Sequence, residues 1–167
     1  MAGRSDQDSP VGVLLVSADR ARIGEWHSRR VDMLESFEVE PTDAEEHELL
    51  GPSYSHPRGS GEKATATRSS AHRDLWERRL EDHRERFARS AAAEAARLAK
   101  RRDWDVVLVH GDPRRTRGAL DELRRHGVPA VGSDLVLDWL RPAALAERLE
   151  PEVEAARAGL ARERGGR

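Results

Sequence analysis

The sequence predicts an α/β fold on a mixed sheet, and three observations carry that prediction. An apolar run rich in β-branched residues stands at 11–17, and two alternating segments follow it over short links. A strand–helix–strand pattern lies further on, between 105 and 131. Between these groups runs a long segment with a single apolar stripe at helical spacing.

Residues 1–10 (MAGRSDQDSP) are polar and acidic, with none of the apolar core of a signal peptide, and are expected to be disordered. The run VGVLLVS at 11–17 reads as a buried strand, and Ala18-Asp19-Arg20 as a turn. ARIGEWH at 21–27 and VDMLESFEV at 31–39 complete an antiparallel meander. In the third strand Met33, Glu35 and Phe37 share one face, with Leu34, Ser36 and Glu38 opposite, so its register stays open.

From 41 to about 70 no apolar period exists, and residues 52–70 are expected to form a mobile loop, because long structureless loops are commonly functional or disordered. A helix is predicted from about 70 to 102, where Trp76, Leu80, His83, Phe87, Ala91, Ala95 and Leu98 recur at steps of three and four. About thirty residues at ~1.5 Å each give ~45 Å, more than a small domain needs, so one end is expected to project.

DVVLVH at 105–110 reads as a central buried strand. Asp112 then serves as N-cap with Pro113 at the first helical position, and Gly127 ends that helix before a short strand at 128–131. A short helix is expected at 135–140, and Pro142 opens a long one. The last helix carries Leu145, Leu149, Val153, Ala156 and Leu160 on one stripe, with little chain left to cover it. Either the chain is truncated or this helix docks on a protein partner. The expected organisation is thus a main α/β domain over 11–140 and a C-terminal helix over 141–167 that starts a further domain.

The formal charge of −2 hides a strong asymmetry. Residues 58–102 hold 13 Arg/Lys against 7 Asp/Glu, a net +6, while residues 1–57 hold 5 against 12, a net −7. One basic element on an acidic body suits approach to a polyanion; the plainer account is a solvated helix laced with acid–base pairs. Arginine outnumbers lysine 27 to 2, and its planar fork suits phosphate. There is no cysteine, which excludes disulfides, thiolate metal sites and a cysteine nucleophile. No apolar run approaches a membrane span, so the expectation is a cytoplasmic chain with no membrane partner.

Chemistry-bearing motifs are sparse. The histidines lie on separate elements with no metal-ligand spacing, so neither a metal nor a cofactor is expected, and His83 reads as a packed residue of the stripe. The Gly111-Asp112-Pro113-Arg114-Arg115 turn has one glycine and no Walker lysine, so it reads first as a capped strand-to-helix turn and second as a nucleotide site. No Gly-x-Ser-x-Gly elbow is present.

The stretches VLLVSADRARIGEW, RSSAHRDLWERRLEDHRERFARSAAAEAARLA and WDVVLVHGDPRRTRGALDEL, in this order, resemble the middle domain of archaeal and eukaryotic class I peptide-release factors. The likeness is closer to the bacterial relatives of that family, frequent in actinobacteria, and covers about residues 11–140. It implies a translation-associated, ribosome-rescue or hibernation role with ribosome (rRNA) or tRNA as partner. In that family a Gly-Gly-Gln tip promotes hydrolysis of peptidyl-tRNA. Here the only glutamine is Gln7, and the tip position falls near Ser69, Ser70, Ala71 and His72. His72 is the one candidate for orienting water. The resemblance therefore implies ribosome occupancy ahead of hydrolysis, with Arg58, Lys63, Arg68, Arg73, Arg78 and Arg79 as the RNA-binding set. The alternative is a helical protein-interaction module that binds no RNA.

Overall fold

The computed structural model describes residues 9–39 and 65–166, with residues 65–70 and 72 as backbone only. Three strands, β1 (Val11–Val16), β2 (Arg20–His27) and β3 (Arg30–Glu38), form the expected antiparallel meander. The long helix α1 (Thr65–Arg102) leads to β4 (Val107–Gly111), α2 (Pro113–Arg125), β5 (Ala130–Ser133) and α3 (Pro142–Gly165). The sheet is mixed, in the order β3-β2-β1-β4-β5, with β4 parallel to both β1 and β5.

β1 is buried along its whole length because helices cover both faces of the sheet. Leu14, Val16, Ile23, Val107 and Val109 meet α1 and α2 on one face. Val11, Val13, Leu15, Val31 and Leu108 meet α3 on the other. α1 reaches the sheet through Ala88, Ala91, Ala92, Ala95, Ala96 and Ala99, a seam of small residues that brings the two backbones close. Its C-terminus is pinned by Trp104, whose indole lies on Gly12, where a Cβ would overlap the ring, and whose Nε1–H donates to Glu25 at 2.6 Å.

Four sequence expectations need correction. The β2–β3 pairing slips between Ile23 and Gly24, so that Glu35 partners Ile23 and Met33 partners Gly24. This bulge reverses side-chain parity: Val31 and Met33 join the α3 face, whereas Leu34 and Phe37 join the other. The expected helix at 135–140 is absent: the Val136 carbonyl, which a helix would pair with the Leu140 amide, accepts from Trp139 Nε1 at 3.0 Å, the Leu140 amide donates to the Leu137 carbonyl at 3.1 Å, and Leu137 sinks into the core. Helix α1 starts at Thr65, so residues 65–70 are helical where a mobile loop was expected; the rest of that loop lies outside the described residues.

The fourth correction concerns α3. Leu145, Leu149 and Val153 are fully buried and Ala156 nearly so, against this chain's own sheet. Arg29 pairs with Glu150 at 2.6 Å, Arg164 with Asp105 at 3.3 Å, and Arg157 lies over the Trp26 ring while donating to the Ser9 carbonyl. The stripe was expected to lack cover because the sequence does not reveal that only one sheet face is taken by α1 and α2.

Candidate nucleic-acid interface

At ~1.5 Å per residue the 38 residues of α1 span ~57 Å. From Ala88 onward the helix is embedded in the core, and Leu80, Glu81, His83, Arg84 and Phe87 are half-buried. Across 71–79 every described side chain is exposed. The N-terminal part of α1 therefore stands clear of the described domain, as its excess length predicts.

Arg73, Arg78 and Arg79 are exposed on this projecting part. At ~100° per residue they are distributed around the helix and form no single stripe. Arg68 and His72 lie on α1 by their backbones, and their side chains fall outside the described structure. Arg58 and Lys63 fall outside the described residues.

Where α1 enters the body, a cleft of about 560 Å³ opens at the C-terminal ends of β1 and β4. Ser17 and Ala18, Glu81 and Arg84 of α1, and the start of α2 line it. The turn into α2 is capped as expected: Asp112 accepts from the Arg114 amide at 2.9 Å, and Pro113 opens the helix. Gly111 has φ of 153°, and a Cβ there would overlap the Val16 carbonyl oxygen, so only glycine fits.

An ion pair that the sequence does not announce closes one wall. Arg115 is buried at 5% exposure and donates from Nη1 and Nη2 to the two Glu81 oxygens at 2.7 and 2.8 Å. Those hydrogen bonds hold the Glu81 carboxyl below its ordinary range and push Arg115 above its own. Arg115 is thereby committed to fixing α2 on α1, while Arg84 and the exposed Arg114 remain at the cleft. The only advance signal was the doubled arginine after Asp112-Pro113, since the partner lies 34 residues upstream.

On the other sheet face His110 of β4 is fully buried, and its Nε2 lies 2.9 Å from Glu152. Burial, and secondarily the charge of Arg148, push its imidazole down to about 4, and burial raises the Glu152 carboxyl. A neutral imidazole closed to solvent holds α3 on the sheet and has no access to a substrate. Among the described residues no group of three His, Asp or Glu is placed to hold a metal ion, and no helix is long and apolar enough to cross a membrane.

The described residues thus form a mixed α/β domain whose longest helix carries exposed arginines out of the body. The chain matches Bacterial archaeo-eukaryotic release factor family 10 over residues 4–154 and belongs to that family. Among solved structures it is similar to an archaeal translation termination factor, aRF1, at 15% identity and a TM-score of 0.45, covering 96% of this chain and 43% of that one. A second, described only as an archaeal protein, matches at 14% identity and a TM-score of 0.39, over 96% and 42% of the two chains. The chain thus spans less than half the length of either structure. No protein of curated function matches it.

Proposed function

We propose that this chain binds the ribosome or tRNA through the N-terminal part of α1 and the loop before it, in the cytoplasm, and that it occupies its site without hydrolysing peptidyl-tRNA. The observation that carries the proposal is the projecting, arginine-bearing part of α1. Guanidinium groups on an exposed helix give salt-dependent, sequence-independent affinity for phosphate. Membership of a release-factor family supports a ribosomal partner. Occupancy is favoured over hydrolysis because the chain's single glutamine is Gln7, which precedes the first strand in sequence and does not belong to the loop before α1. A protein-interaction module loses its main support, since the α3 stripe is covered within the chain.

The test is cosedimentation with bacterial ribosomes across a salt series, beside a variant with Arg68, Arg73, Arg78 and Arg79 changed to Glu. Expected are pelleting that falls steeply with salt, its loss in the variant, and no release of peptide from peptidyl-tRNA by either form. Wild-type chain that stays in the supernatant even at low salt overturns the proposal. Peptide release that disappears in His72→Ala overturns the occupancy part alone.

A further inference from the structure

We propose that Trp76 is a stacking platform for an unpaired RNA nucleotide; the inference rests on the RNA-binding reading above and specifies its contact. The apolar stripe of α1 does not stop where the domain stops. It is buried from Ala88 onward, half-buried at Phe87, His83 and Leu80, and then emerges with Trp76 at 38% exposure and Leu75 beside it at 47%. A tryptophan one turn beyond the last packed position is absent from the core cluster, and more than a third of its surface is exposed.

The charges around it select the partner. Positions three or four residues from Trp76 share its face of the helix, and Arg73 and Arg79 occupy two of them, one on each side along the axis. The acidic residues of this region, Asp74, Glu77, Glu81 and Asp82, lie about 100° or more away around the helix. The indole is thus flanked by guanidinium-bearing residues, while the carboxylates three or four positions from them, Glu77 from Arg73 and Asp82 from Arg79, lie on the sides away from the ring. An unpaired nucleotide matches that arrangement, because its base offers a π face and the phosphates on either side offer negative charge. A lipid surface fits poorly, since Leu75 and Trp76 make too narrow an apolar strip and acidic residues occupy the adjoining faces.

The experiment uses the full chain and labelled oligo(A), read by fluorescence anisotropy and by tryptophan emission. Trp26 and Trp104 are buried, and the exposed Trp139 is changed to phenylalanine, so that Trp76 is the one exposed indole among the described residues. Expected results are acrylamide quenching of that indole in the free chain and protection from it by oligo(A). Trp76→Ala weakens binding about tenfold and Trp76→Phe only a few-fold, because the ring carries the contact. The salt slope is unchanged by Trp76→Ala and flattened by the pair Arg73→Glu and Arg79→Glu.

Oligo(A) binding with unaltered affinity in Trp76→Ala overturns the stacking inference and leaves the RNA reading standing. Failure of the wild-type chain to bind either oligo(A) or ribosomes overturns the RNA reading itself. An indole shielded from acrylamide in the free chain, or one shifted by anionic vesicles and unaffected by oligo(A), overturns the inference in favour of an internal or a lipid partner.

Discussion

At His110 the central strand β4 carries an imidazole where its neighbours carry valine and leucine. Burial favours the uncharged form, so the folded chain resists protonation to about pH 4, whereas the unfolded chain takes up a proton near 6.5. The unfolded state therefore binds more protons between these values, and stability falls as pH drops from about 6.5 towards 4. Glu152 acts in the opposite sense, because its raised carboxyl pKa favours the folded state as pH falls. Comparison with His110→Gln, which keeps a donor for Glu152 and does not titrate, isolates the histidine. The wild type is expected to lose about 2 kcal/mol relative to the variant between pH 7 and pH 5. The loss should level off below pH 4. Urea unfolding at stepped pH measures it, and parallel stability curves would contradict it. The position of His110 on a buried strand was legible from DVVLVH. Its partner was not, because Glu152 lies on a helix whose docking face no local pattern specifies. The Arg115–Glu81 pair stayed hidden for the same reason: pairing across elements leaves no periodic trace.

The strands and helices themselves were legible wherever a hydrophobic period ran unbroken, as in β1, the buried half of α1 and α2. The ambiguity at 33–37 has its physical source in the bulge opposite Ile23 and Gly24, which makes both parity readings half right. The missing helix at 135–140 yields to local competition and burial, the Val136 carbonyl accepting from the Trp139 indole in place of the Leu140 amide while Leu137 is drawn into the core. The β2–β3 hairpin holds a testable strain of its own. Its two-residue turn places Ser28 at φ 49° and Arg29 at φ 62°, the left-handed geometry of a tight hairpin, where Asn-Gly is preferred. Ser28→Asn with Arg29→Gly should relieve this at both positions and stabilise the chain by about 1 kcal/mol. The loss of the Arg29–Glu150 pair offsets little, because the arginine is 77% exposed. Chemical denaturation of the double variant is the measurement, and unchanged or lowered stability would show that the pair outweighs the turn.

For the whole molecule, α3 is what makes the sheet a buried layer. Without it Val13, Leu15 and Leu108 would face water, so the helix that looked like the start of another domain belongs to the core of this one. Its unfolding must then be coupled to that of the sheet. α1 is divided in the opposite way, since its alanine seam is locked into the core while its basic end contacts little of the described domain. Native-state hydrogen exchange should report both facts together. Amides of α3 near Leu149 and of α1 near Ala95 are expected to open only with global unfolding, at the same free energy as β1. Amides at 71–79 should exchange by local fraying, several kcal/mol more easily, about the whole of a small domain's stability. Fast, independent exchange in α3 would make it an appendage and restore the case for a partner on its stripe. Slow exchange at 71–79 would mean that the rest of the chain already covers the basic end, leaving less of it for RNA. The two free energies therefore bear on the architecture and on the proposed interface at once, because a helix anchored at one end and solvated at the other can order its free end on a partner while leaving the sheet unchanged.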